Sequence, residues 1–176
     1  MKVLLCLMVV SIMFVGCGTS PEELYAQAEM AEKSQDFAKA VELYTELLNE
    51  HTSHELAERA AFNIARINNN DRQDFEAAIR AYRRYVELFP DGEKSAVSMF
   101  LIGYIYNNAL NNLDSARAAY QRFLEKHPDH EMALSAKFEL DHLGTPPEAL
   151  LPEPAAKEIQ QSKPAAKVAA KPTKKQ

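Results

Sequence analysis

Few residues in this 176-residue chain have the type and spacing to do chemistry. Two histidine pairs stand out, in HTSHE at 51 to 55 and HPDHE at 127 to 131, each followed by a glutamate. A zinc hydrolase helix needs the order His-Glu-x-x-His, which sets two ligands one turn apart with a general base between them, and neither pair has it. His51 and His127 instead follow apolar runs of helical spacing, where an imidazolium would meet the negative end of a helix dipole. NNNDRQD, at 68 to 74, offers oxygen ligands but lacks the glycine that bends a calcium loop. No glycine-rich phosphate loop occurs. The inventory points away from an enzyme and from any resident metal or cofactor, and no small-molecule substrate is expected.

That leaves the cysteines. Cys6 lies inside an apolar run, Cys17 lies in FVGCGTS, and none follows. Residues 1–16 read as a positive start (Lys2), an apolar core LLCLMVVSIMFV and a small residue, Gly16. This is the order of an export signal, and the apolar run is short for a membrane span. On the residues alone it is a cleaved secretory peptide or a short uncleaved anchor. FVGC resembles the bacterial lipobox, with Phe14 where leucine is usual. The resemblance implies cleavage before Cys17 and lipidation of its thiol. Gly18 follows the cysteine, where in many Gram-negative species an aspartate signals retention in the inner membrane. The resemblance therefore implies the outer membrane, periplasmic face. Acyl chains contribute about 0.8 kcal/mol per buried methylene, so a multiply acylated cysteine anchors a chain durably.

The net charge of −5 hides a division. Residues 18–143 hold 13 Lys and Arg against 22 Asp and Glu, whereas residues 144–176 hold six Lys against three Glu. An acidic body argues against nucleic acid as the partner. It also repeats. AAIRAYRRYVELFPDGE (77 to 93) recurs 38 residues later as SARAAYQRFLEKHPDHE (115 to 131), with Ala78 and Ala116, Tyr82 and Tyr120, Pro90 and Pro128 in register. FNIARINNN matches FLIGYIYNN at the same offset. Ala40 and Tyr44 mark a weaker first copy, and SAKFELDHL (135 to 143) a partial last one. Apolar residues recur at steps of three and four, as in Ile79, Tyr82, Tyr85, Val86 and Phe89, so each copy reads as two helices. FPDG and HPD close the second helices, and the Asn clusters at 68–70 and 107–112 are expected to break the first helices from the second. Ser20-Pro21-Glu22-Glu23 reads as a capping box that starts the first helix. Small residues at fixed sites, Ala28, Ala65 and Gly103 against Ala40, Ala78 and Ala116, leave room for close helix packing.

These residues resemble the tetratricopeptide repeat. The third copy meets the family's order with Met99, Ile102, Gly103, Tyr106, Ala116, Tyr120 and Pro128; the second meets it with Ala61, Ile64, Ala65, Ala78, Tyr82 and Pro90, but has Asn68 at the tyrosine site. The bulky Leu47, Tyr85 and Phe123, followed by Pro-Asp in two copies, are similar to the repeats of bacterial envelope proteins. Examples are the lipoprotein of the outer-membrane β-barrel assembly machine and the Tol-Pal-associated periplasmic repeat protein. The expected class is all-α, a short tetratricopeptide-type α-solenoid of about three helix pairs plus a capping helix. The expected organisation is a signal peptide at 1–16, a lipidated Cys17 and linker to 20, a repeat domain at 21–143 and a disordered Pro/Ala/Lys-rich tail at 144–176.

In such a repeat the first helices line the concave side. The candidate groove for a partner protein or peptide is Arg59, Phe62, Asn63, Arg66 and Asn69 in the second copy, Phe100, Tyr104 and Asn107 in the third, and Phe138 beyond. Aromatics supply contact area there, and Asn and Arg can pair with a peptide backbone or carboxylates. The competing reading has Phe62, Phe100 and Phe138 stacked as core between neighbouring first helices. The Lys/Asn/Arg clamp of eukaryotic chaperone-binding repeats is not matched, since Tyr25 and Glu29 occupy the first copy. The expected function is a membrane-anchored scaffold for envelope proteins in outer-membrane protein assembly or envelope maintenance. The alternative is a tether to peptidoglycan or another anionic envelope polymer through the basic tail.

Overall fold

The computed structural model describes residues 18–145. The signal segment, Cys17 and most of the Lys-rich tail lie outside them. Within them the chain is all-α, an array of tetratricopeptide-type helix pairs. The helices are α1 (Pro21–Lys33), α2 (Phe37–Glu50), α3 (Glu55–Asn70), α4 (Phe75–Leu88), α5 (Ser95–Asn108), α6 (Leu113–Lys126) and α7 (Ala133–Asp141). No strand occurs among the described residues.

The repeat is written into the backbone. The second helix of each pair starts at Phe37, Phe75 and Leu113, and each start is capped by a side chain one residue earlier. Asp36, Asp74 and Asn112 accept from the amides of Lys39, Ala77 and Ser115 at 3.1, 3.0 and 3.1 Å. Such a cap satisfies one of the helix's orphan donors and is worth about 1 kcal/mol. The residue before each cap, Gln35, Gln73 and Asn111, has φ of 62, 51 and 49°, the left-handed conformation that non-glycine residues seldom adopt. Each pair therefore turns by the same device. The helices end alike too, at His51, Phe89 and His127, whose amides donate back to Leu47, Tyr85 and Phe123.

Two expectations need correction. The Asn cluster at 68–70 does not break α3 but forms its last turn. Asn68 is buried, donating to the Ile64 carbonyl at 2.8 Å and accepting from Arg72, just past the helix, at 2.8 Å, so both ends of its amide are used locally. The break falls at Asp71–Asp74, where the αL residue Gln73 reverses the chain. The imidazolium reading of His127 also fails. It does cap α6, but burial, His130 and Lys126 together push its pKa below the ordinary histidine value. Desolvation of the cation and two repulsive neighbours act against the charged form.

The chain divides into two compact units at Ile102/Gly103, within α5. In the first unit α1 packs on α2, α2 on α3 and α3 on α4, with α1 also touching α3. Its core runs through Leu24, Tyr25, Leu43, Tyr44, Leu47 and Leu48 to Ile67 and Tyr85, and the Tyr25 and Tyr44 rings meet edge to face at 5.3 Å. The alanine seam is closed: Ala28, Ala40, Ala65 and Ala78 are fully buried. In the second unit α6 packs on α7, and Gly103 of α5 lies against α6 so closely that a Cβ there would sit 2.8 Å from the Tyr120 ring. That approach favours glycine at 103 over any residue with a Cβ. Ser20 caps α1 by accepting from the Glu23 amide at 3.2 Å, with Pro21 as first helical residue.

Candidate functional site

One histidine of each pair serves as a structural cap through its side chain. His54 Nδ1 accepts the Leu56 amide at 3.2 Å at the start of α3, and its Nε2 reaches Glu22 at 3.1 Å, tying α3 to the first turn of α1. His130 Nδ1 accepts the Met132 amide at 3.1 Å in the same way, two repeats later. Among the described residues no three His, Cys, Asp or Glu side chains gather as metal ligands.

The groove candidates divide between the units. In the first, Asn63 donates to the Tyr25 hydroxyl at 3.2 Å, and the Arg59 guanidinium lies over the Tyr25 ring, 4.9 Å from its centroid. Tyr25 and Asn63 are 38 residues apart, equivalent positions on successive first helices. Arg66 pairs with Glu32, and more loosely with Asp71 at 3.4 Å. Glu32 also accepts from the Tyr44 hydroxyl at 2.8 Å. Burial, then that bond and the Glu32 charge, hold the Tyr44 phenol far above its ordinary pKa, so it stays a donor. Asn69 donates to its neighbour Asn70 at 2.7 Å. Phe62 is half-buried and meets the Tyr82 and Tyr85 rings edge to face at 5.9 Å each, which places it on the core side of α3. Burial pushes Tyr82 up to about 12. Phe100 is 8% exposed.

In the second unit the picture is more open. Tyr104 is 46% exposed and Phe138 52%. Asn107 donates to Glu139 at 3.2 Å. Glu139 also acts on Tyr120, whose hydroxyl is pushed well above its ordinary range by burial and by that charge. Phe138 stacks on His142 with ring centroids 4.2 Å apart. Its equivalents in the repeat, Leu24, Phe62 and Phe100, are buried or half-buried, because each belongs to a first helix that a second helix follows. No helix follows α7 among the described residues, and Leu134 is also left 78% exposed there.

Tyr25, Glu32 and Glu139 were not among the sequence candidates, yet they organise the ones that were. Tyr25 could have been found from its register with Asn63. Glu32 and Glu139 could not, because they lie 34 and 32 residues from Arg66 and Asn107, off the 38-residue period. A further network joins α3, α4 and the turn after it. Glu58 accepts from the Tyr85 hydroxyl at 2.5 Å and from the Glu93 amide at 2.9 Å, and Lys94 N donates to Tyr85 Oη at 3.1 Å. Gly92 sits over it, and a Cβ there would lie 2.6 Å from Glu58 Oε1 and 2.8 Å from the Tyr85 oxygen. That explains why glycine stands at 92, where the other copies carry His54 and His130.

A family model described as YfiO, outer membrane lipoprotein, matches residues 18–143. No curated protein matches the chain. The family match spans the whole repeat array and more than two thirds of the chain, and the chain belongs to this family of outer membrane lipoproteins.

Proposed function

We propose that this outer membrane lipoprotein is a non-catalytic scaffold, anchored through a lipidated Cys17 and facing the periplasm, that binds envelope proteins or peptides through the first-helix face of its repeats. Outer-membrane protein assembly or envelope maintenance is the process it would serve. The observation that carries the binding reading is the pair of half-exposed aromatics on first helices, Tyr104 and Phe138, with Asn107 and Glu139 beside them. Exposed aromatic area flanked by polar groups that can pair with a peptide backbone is the make-up of an interface anchor. In the first unit Arg59, Asn63, Arg66 and Asn69 of α3 already hold partners. An incoming carboxylate at Arg66 has to compete with Glu32.

The test is the double variant Tyr104→Ala with Phe138→Ala in the full-length protein. Both side chains are half exposed, so the thermal midpoint should move little, while co-purification of partners from detergent-solubilised envelopes, read by mass spectrometry, should be lost. A folded double variant that retains every partner of the wild type overturns the reading.

A further inference from the structure

The first unit carries a recessed feature on the side of α3 away from Arg59, Asn63 and Arg66. A cleft of about 190 Å³ lies between α2, α3 and α4. Leu48, Ala61, Ile64 and Ala81 give it an apolar floor, and Arg80 and Arg84 stand at its rim. On α3 the cleft residues Ala61, Ile64 and Asn68 lie about half a turn from Arg59, Phe62, Asn63 and Arg66, at 100° per residue. The cleft is therefore separate from the proposed groove.

We infer that this cleft is a docking site for a partner segment that presents a carboxylate directly beside an apolar side chain, leucine or phenylalanine. Three observations lead there. The first is size. Pockets that enclose a whole small molecule run to roughly 300–1,000 Å³, so about 190 Å³ suits one side chain of a larger partner. The second is charge. Arg80 and Arg84 are exposed and stand four apart on α4, one turn from each other. Arg84 is oriented by a 2.7 Å bond to Asn49 Oδ1, and Arg80 is in no ion pair among the described residues. A planar guanidinium is matched to a carboxylate, and a rim of two selects for one. The third is the repeat itself. The positions of Arg80 and Arg84 in α4 are those of Glu42 and Glu46 in α2, and of Ala118 and Arg122 in α6. A framework that repeats its caps, seam and turns has reversed charge at both rim positions between α2 and α4, with arginine kept at the second of them in α6, within a body carrying nine more acidic than basic residues. A shared scaffold does not demand that reversal; an anionic ligand over an apolar floor does.

The test uses the full chain in detergent and a fluorescein-labelled nine-residue peptide with Leu-Glu at the centre of an alanine and serine background, read by anisotropy. Saturable binding is expected. Changing the peptide to Ala-Glu or Leu-Gln should each weaken it roughly tenfold or more, since each removes one of the two features recognised. Arg80→Glu with Arg84→Glu should do the same. So should Ala77→Leu, which fills the cleft from α4 without touching its charge. Circular dichroism checks the fold, and Arg80→Gln and Arg84→Gln singly give the same reading if the double reversal unfolds. Tyr104→Ala with Phe138→Ala should leave this binding unchanged, which keeps the cleft independent of the groove. Absence of saturable binding overturns the inference. Binding indifferent to Ala77→Leu and to the peptide's leucine also overturns it, as diffuse charge attraction. Arginine-dependent binding to phosphatidylglycerol vesicles without peptide binding reassigns the arginines to the membrane and overturns it too.

Discussion

His127 ends α6 with its imidazole held below the ordinary histidine pKa by burial, His130 and Lys126. Its position at the end of α6 follows from the run before it and from Pro128 after it. Its charge depends on His130, with ring centroids 6.3 Å away, on Lys126 and on the Phe123 ring 5.7 Å off, none of which a helix-dipole argument includes. Because its pKa in the folded chain lies below the unfolded value, the native state resists protonation. The contribution to stability is therefore complete above the ordinary histidine pKa of about 6.5 and is lost as pH falls through the lower folded value. Thermal midpoints measured from pH 7.5 to 5 should fall, and His127→Gln should flatten part of that fall. An identical slope in the variant would mean other groups carry it. The same limit applies to the candidate site. Arg59 and Asn63 on α3, and Tyr104 on α5, could each be placed on a face of its own helix from spacing alone, whereas the carboxylates that pair with Arg66 and Asn107, Glu32 and Glu139, come from off-register positions. A periodic reading pairs like with like and passes over such contacts.

The helices themselves were legible because three independent signals share the 38-residue period: the apolar spacing, the small seam residues and the turn residues. The first helix beginning at Pro21, the ends at His51, Phe89 and His127 and the burial of Ala28, Ala40, Ala65 and Ala78 all followed from it. The Asn cluster at 68–70 was misassigned because asparagine favours turns when its amide has no better partner, and Asn68 has Ile64 and Arg72. Gly103 makes the packing of elements measurable. Replacing a helical glycine by alanine normally gains about 0.8–1 kcal/mol of helix propensity. At 103 the new methyl would meet two atoms of a fully buried tyrosine ring at 2.8 Å, and overpacking costs typically 1–3 kcal/mol. Gly103→Ala should thus be destabilising by about 1 kcal/mol in denaturant melts. Combined with Tyr120→Leu, which clears the ring, it should cost clearly less than the two changes added, since residues in contact couple. Simple additivity, or stabilisation by Gly103→Ala alone, would show that α5 and α6 approach less closely than this.

At the scale of the whole molecule the question is what the anchor does to the repeat array. Ser20 caps α1, so only Gly18 and Thr19 separate it from Cys17, and three residues of extended chain reach roughly 10 Å at most. An acylated Cys17 would hold the start of the first helix pair at the bilayer surface, whereas a long linker would let partners be met far from the membrane. The family to which the chain belongs is one of outer membrane lipoproteins, and the lipobox-like FVGC is the segment that would make this chain one. Wild-type protein should therefore partition into the detergent phase of a cloud-point separation and incorporate labelled fatty acid. Cys17→Ser should remain an uncleaved precursor at this site and take up no label. Truncating residues 146–176 in the wild-type background separates anchor from tail. Detergent partitioning should be unchanged, because the acyl chains alone determine it, and the thermal midpoint should stay within a degree or so. Loss of sedimentation with purified peptidoglycan on truncation would identify the six tail lysines as a second tether. A wild-type chain that stays in the aqueous phase and takes up no fatty acid would remove the anchor altogether, and with it the placement of α1 against the membrane.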